Sequence, residues 1–513
     1  MSGVPGPSTS TIPQSLLGPW KDALESHGAK HLGDFPNYHV RDPECLVTSA
    51  NPRSIRAGSG LGIFTDALLP AISMARHEVI LVTCFWAESA TLVALKQTLE
   101  ALAEQRRISQ SYRDSPDGDD NDNDPLPILR IRICFSSRSL LQKLFHTPSR
   151  KGHTYPPRTW PSLGLPSEKI LREAGIEMTV KSLFFLPFSV MHPKFLIVDR
   201  SRAFMPSCNV SWETWFETCV EFEGPAVSAL LEFYNHVWEY GNEQAIVDAA
   251  KRPLSPFTLA AGRLNGDQLQ LPKAPSSSLQ FRGNPSRTLF RFPPKTTYPT
   301  ILLPSSHHMN PRFRPFPFLK YAPPPTTPLN AAVLTLFNTA RSHIEITTPN
   351  LTCAPVVSHL LSALSRGVDV TIRTSKNMML IEQLLTAGTT TSLCLKSFIK
   401  RYRKLQAAHA AATASEPDLE AGGHPPPPGA LKIFYYRPDA DAVAARDENE
   451  PVVSHVKMVR VDGEFVVLGS GNMDRASWYT SQELGILFYA PGMDSSVWDE
   501  PLKTRLEVVF PVG

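Results

Sequence analysis

Apolar positions along the chain form two similar blocks. In the first, a β-branched run at Val79–Thr83 is followed by Leu92, Leu95, Leu99 and Leu102 at helical spacing, and 127–135 then alternates apolar and polar as a strand does. In the second, a strand is expected over Ile344–Thr348, a helix over 358–365 stopped by Arg366-Gly367, and a further strand over 368–373. Each block is entered by an apolar-periodic segment ending in Ala-Arg, at Ala75-Arg76 and at Ala340-Arg341. Strand, helix, strand twice over predicts an α/β fold with parallel strands. The repetition predicts that the fold is internally duplicated.

Three segments break the pattern. Residues 114–124 are rich in Asp, Asn, Pro and Gly without the spacing of a calcium-binding loop, and read as a solvated loop. Residues 405–429 turn Ala-rich and then carry four consecutive prolines, which reads as a disordered insertion. Between the blocks, 252–328 is Pro-rich and interleaves Arg282, Arg287, Arg291, Arg312 and Arg314 with Phe281, Phe290, Phe292, Phe313, Phe316 and Phe318. Such a stretch could stack on bases or sit at a lipid interface. The plainer expectation is an arm that ties two domains together and buries its aromatics on them. The division expected is an extension over 1–49, a first domain over 50–251, the arm over 252–328 and a second domain over 329–513. A basic run at Lys396, Lys400, Arg401, Arg403 and Lys404 surrounds Phe398, Ile399 and Tyr402; it reads as a solvated charged face, with contact to anionic lipid as the alternative.

Composition narrows the partners. The 513 residues are too many for one core and suit two domains. A formal charge of +3 supplies no global field for tracking nucleic acid. The seven cysteines are scattered, odd in number and lack metal-type pairing, which favours reduced thiols and an intracellular setting, cytoplasmic or peripheral to a membrane. No run of about 20 apolar residues is present, so a lipid substrate would have to be reached from the water side.

The chemistry lies in a second duplication. His192-Pro-Lys194 is followed by Asp199 and then Ser207-Cys-Asn209; His455-Val-Lys457 is followed by Asp462 and then Ser470-Gly-Asn472. The separation of the two histidines matches that of Arg76 and Arg341 to within two residues. On a strand, positions i and i+2 face one side, so each His and Lys would project together into one pocket. Two such half-sites suit cleavage of a phosphodiester. One neutral imidazole attacks phosphorus, the other acts as acid and then base, and lysines with Ser and Asn donors hold the non-bridging oxygens. No metal or other cofactor is required, since the lysines supply the positive charge. Asp199 and Asp462, five residues past each Lys, would fall at the far strand end and support structure rather than chemistry.

These residues resemble the paired H-K-D motifs of the phospholipase D superfamily, and the likeness spans roughly 50–250 and 329–513. The resemblance implies two duplicated α-β-α sandwich domains related by a pseudo-twofold axis, with the motifs closing face to face. It implies His192 as nucleophile and His455 as acid/base, although the residues themselves leave that order open because the halves are nearly symmetric. It also assigns the motif aspartates an ion-pair role, and gives Glu483, eleven residues after Asn472, as the acid that orients a catalytic histidine. The same step in the first half lands on Val220, which leaves Glu221 as the neighbouring candidate. Pro206 stands where the second copy has Gly469, so a different phosphate-loop geometry is expected there. The activity implied is cleavage or transfer of the phosphatidyl group of glycerophospholipids at a membrane surface, with water or an alcohol as acceptor. A nuclease and a catalytically silent lipid-binding scaffold are the alternatives.

Overall fold

The computed structural model describes residues 11–113, 126–146, 149–185, 189–241, 286–294, 296–306, 323–414, 426–447, 450–493 and 499–510. Fourteen strands carry the duplication. The first seven are β1 (Val47–Ser59), β2 (Glu78–Phe85), β3 (Leu129–Ser137), β4 (Ile176–Ser182), β5 (Phe195–Val198), β6 (Arg202–Pro206) and β7 (Trp215–Glu223). The second seven are β8 (Tyr298–Ser305), β9 (His343–Thr348), β10 (Asp369–Thr374), β11 (Leu431–Tyr436), β12 (Met458–Val461), β13 (Phe465–Gly469) and β14 (Glu483–Tyr489).

The first set is ordered β1-β7-β6-β5-β2-β3-β4, and the second repeats it strand for strand as β8-β14-β13-β12-β9-β10-β11. Within each, the β2/β9 to β4/β11 side is parallel and the rest antiparallel. The parallel steps need helical crossovers, supplied by α1 (Ala90–Arg113) between β2 and β3 and by α2 (Ala354–Ser365) between β9 and β10. β1 and β8 pair antiparallel through Val47–Ala50 and Tyr298–Ile301, fusing the two sheets across the pseudo-twofold axis.

Burial explains why the central strands read as continuous apolar runs. In β2, Val79 and Leu81 face a core shared with Leu92, Leu95 and Leu99 of α1, while Ile80 and Val82 face a middle core that also holds Met458, Val466, Leu484 and Ile486 of the second half. In β5, Leu196 and Ile197 split the same way and are fully buried. Burying each is worth about 1.5–3 kcal/mol relative to exposure. Strands covered on both faces have no polar face to alternate.

Several boundaries differ from the sequence expectation. The second half starts inside the arm, because β8 belongs to its sheet. Phe292 is buried and its ring meets Phe290 at 4.8 Å and Tyr298 at 5.5 Å. Phe281, Arg282, Arg312, Phe313, Arg314, Phe316 and Phe318 lie outside the described residues, as does 114–124. The helix Thr391–Thr413 runs through the start of the expected insertion, so 405–413 is helical. It buries Leu395, Phe398 and Tyr402 and leaves Lys396, Lys400, Arg401, Arg403 and Lys404 exposed. That basic run is the solvated face of a core-packed helix. The expected N-terminal extension contains a helix, Gln14–His31, whose Leu16, Trp20 and Leu24 enter the core of the second half. Trp20 Nε1 donates to the carbonyl of Pro328 at 3.0 Å.

Candidate active site

Each H-x-K segment enters the sheet at the start of β5 or β12, and there it lies against the other half. His192 N donates to the Gln482 carbonyl at 2.9 Å, and His455 N donates to the Phe216 carbonyl at 2.8 Å. The next residue on each opposing strand is a glutamate. Glu483 Oε2 lies 2.8 Å from His192 Nδ1, and Glu217 Oε1 lies 2.9 Å from His455 Nδ1. Both imidazoles are thus held at Nδ1 by a carboxylate of the opposite half. This fixes the tautomer and directs each Nε2 away from its glutamate, available to a ligand.

The glutamates are themselves held. Ser470 Oγ donates to Glu483 Oε2 at 2.5 Å and accepts from Leu484 N at 3.0 Å. Ser207 Oγ donates to Glu217 Oε2 and accepts from Thr218 N at 2.8 Å. The matching contacts show that Pro206 leaves the serine geometry unchanged. They also place both serine hydroxyls on the glutamates instead of on a phosphate. The asparagines differ between halves. Asn209 Oδ1 accepts from Phe85 N at 3.2 Å, whereas Asn472 Nδ2 donates to Asp474 at 3.0 Å. Asn472 Oδ1 and Glu483 Oε1 are buried with no partner among the described residues, which leaves acceptor capacity for a hydroxyl of a ligand.

Glu221 is the candidate the structure does not bring to the site. It accepts from Arg202 Nε at 2.8 Å and from Ser54 Oγ at 3.0 Å. The acid at His455 is Glu217, which counting from the second half missed because the segment between Asn and Glu is three residues shorter in the first half. Asp199 and Asp462 sit at the far ends of β5 and β12, where each carboxylate collects backbone N–H groups of the Arg76–Glu78 and Arg341–His343 turns. Their main role is to tie down those turns; among the described residues only Asp462 has an arginine within ion-pair distance, with Arg341 Nε at 3.6 Å. Burial alone would raise the Asp462 carboxyl, but these donors outweigh it and hold it below the usual range.

Charge is crowded into a buried pocket. Lys194 Nζ and Lys457 Nζ donate to the carbonyls of their own motif histidines, His192 and His455, at 2.8 and 2.6 Å. Burial lowers His192, with Glu483 opposing and the two lysines reinforcing. Burial drives His455 further down, to about 3, against the pull of Glu217. Glu217 is held below the usual range: burial would raise it, but His455, Lys457 and Ser207 outweigh that. Burial brings Lys457 from 10.5 to about 7. Since the folded value is the depressed one, the unfolded chain binds the extra proton between these limits. The penalty is full below pH 7 and fades by pH 10.5. Lys457→Met is therefore expected to raise Tm relative to wild type at pH 6, with the gap shrinking as pH climbs to 10. Paired thermal melts across that range test it, and a pH-independent gap would refute it.

No group of three or more His, Cys, Asp or Glu able to hold a metal ion occurs among the described residues. All seven cysteines are free thiols.

Residues 333–500 match the family model described as cardiolipin synthase, phospholipase D-like domain, and this span contains the second motif and Glu483. The first half repeats that motif and the strand order around it. The second half carries a phospholipase D-like domain. Among solved structures, phosphatidylserine synthase of Haemophilus influenzae Rd KW20 is similar over 96% of this chain and 92% of that one, at 12% identity and a TM-score of 0.50, which shows a shared fold. Nuc, a phospholipase D family member from Salmonella typhimurium, matches 36% of this chain with 92% of its own, at 16% identity and a TM-score of 0.23. No curated protein matches the chain. This chain brings both motifs together within a single polypeptide.

Proposed function

We propose that this chain cleaves or transfers the phosphatidyl group of glycerophospholipids through a phosphohistidine. The observation that carries the proposal is the crossed pair of His–Glu contacts, which aligns two imidazoles with their Nε2 atoms free beside two buried lysines. In the first step, His192 Nε2 attacks phosphorus and the P–O bond to the headgroup breaks, while His455 delivers a proton to the departing oxygen. In the second, His455 takes a proton from water or an alcohol, whose oxygen attacks phosphorus and releases His192. Lys194 and Lys457 balance the charge on the non-bridging oxygens. An incoming phosphodiester anion offsets the lysine charges that disfavour a protonated His455, and Glu217 then faces an imidazolium.

The assignment of His192 as nucleophile is supported by its greater openness: its side chain is 13% exposed against 4% for His455, which lies under Trp215 with ring centroids 4.6 Å apart. Lipid as the substrate class is supported by the cardiolipin synthase description of the matched family and by the near-neutral charge. No helix among the described residues is long and apolar enough to cross a membrane, so the substrate would be met at a surface. The test is turnover of a glycerophospholipid panel with and without glycerol, ethanol or serine. Phosphatidic acid without added alcohol marks a hydrolase, and alcohol-dependent transfer product marks a synthase. Histidine-dependent cleavage of single-stranded DNA with no lipid turnover would overturn the proposal.

A further inference from the structure

Two short helices, α3 (Leu140–Phe145) and α4 (Leu380–Ala387), occupy equivalent places in the two halves, after β3 and β10 respectively. Both are inside out. In α3 the buried residue among the described side chains is Gln142, whose Nε2 donates to the Ser136 carbonyl at 3.2 Å, while Leu141 and Phe145 are 67% and 73% exposed. In α4 it is Gln383, which accepts from Thr391 N at 2.6 Å and Thr391 Oγ1 at 2.9 Å, while Ile381 and Leu385 are 76% and 63% exposed. Leu144 and Leu384 are exposed beside them. A water-facing helix normally does the reverse, and an apolar surface of this extent calls for a partner.

Both helices rise directly from the site. Ser136 Oγ, at the end of β3, accepts from the N–H of Met191, which precedes His192. Ser375 Oγ, just past β10, accepts from the N–H of Ser454, which precedes His455. The helices therefore flank the pocket that holds the histidines. Cations stand at their bases: Arg138 and Lys376 are exposed just before α3 and α4, and Lys143 lies within α3.

We propose that α3 and α4 form a paired interfacial anchor that dips into the surface of a phospholipid bilayer, with Arg138, Lys143 and Lys376 meeting lipid phosphates and the active site facing the headgroup layer between them. The idea rests on the phospholipid reading above. A bilayer is favoured over a second copy of the chain because the apolar residues come with cations that complement lipid phosphates. A protein partner covering both helices would also close the way to the histidines.

The test is co-sedimentation of the full chain with phosphatidylcholine vesicles, with and without phosphatidylglycerol. Wild type is compared with Leu141→Ser/Phe145→Ser, Ile381→Ser/Leu385→Ser and the four-fold variant. All four positions are exposed, so the variants should melt with wild type. The expected result is a loss of vesicle partitioning of tenfold or more in the four-fold variant and an intermediate loss in each pair. Turnover of vesicle lipid should fall in step, while turnover of a short-chain phospholipid held below its micelle concentration stays unchanged. Unaltered partitioning would overturn the anchor. So would a wild-type dimer that does not bind vesicles and that the substitutions dissociate. Because sedimentation needs no catalysis, absence of lipid turnover would sink the functional reading and leave the anchor to be judged on binding.

Discussion

A phosphatidyl group trapped on His192 is the expected result when His455 is replaced by alanine and the chain is given a phosphatidyl ester of p-nitrophenol. That leaving group departs without a proton donor, so the first step survives the loss of His455. The second step requires a base to activate water, so the adduct accumulates. A burst of p-nitrophenol equal to the enzyme concentration, with steady turnover lower by about 10²–10⁴-fold, would report it. Mass spectrometry would place the mass on the peptide containing His192. His192→Ala should give neither burst nor adduct. An adduct on His455 in that variant, with none on His192 in the other, would reverse the roles assigned here.

Exchanging either glutamate for glutamine should separate the same two steps. The amide fills the same space, but its N–H₂ can donate to imidazole Nδ1, which moves the ring proton to Nε2 and removes the lone pair there. Losses of about 10²–10⁴-fold in kcat are expected on the precedent of acid–imidazole pairs in other hydrolases. Glu483→Gln acts on His192, so attack on phosphorus slows and a better leaving group does not restore it. Glu217→Gln acts on His455, so p-nitrophenol restores adduct formation and leaves breakdown slow. Glu221→Gln should leave turnover unchanged, because Glu221 meets Arg202 and Ser54 instead of an imidazole. Rapid-quench kinetics on the three variants would decide, and equal behaviour of the two crossed glutamines would contradict the division of labour.

The residues proposed to carry the chemistry were legible because phosphoryl transfer restricts them to few types at a fixed strand spacing. His192, Lys194, His455 and Lys457 stood out for that reason, and duplication removed the ambiguity of a single motif. Glu217 was hidden by a different kind of fact. Its partner is supplied by the opposite half, so no local spacing in the first half encodes the contact; the three-residue shortening then moved it off the position to which Glu483 pointed. Trp215-Phe216 before it, against Ser481-Gln482 before Glu483, offered no shared signature. β8 was obscured by composition, since its Pro299 and Pro304 resemble the arm around them, and its sheet partners are distant in sequence. The apolar residues of α3 and α4 have the expected period, but period alone does not say which face looks inward; Gln142 and Gln383 decide that only through hydrogen bonds visible in three dimensions.

The early helix Gln14–His31 has a consequence for how the molecule comes into being. Its Leu16, Trp20 and Leu24 leave the ribosome well before the surface they dock on, which includes Leu329, Val333 and Leu336. At about 5–20 residues per second, that surface is synthesised roughly 15–60 seconds later. Throughout this interval a greasy segment has no native seat, and the nascent chain must shield it or lend it to a chaperone. Synthesis of the second half is therefore also the moment at which this helix can close.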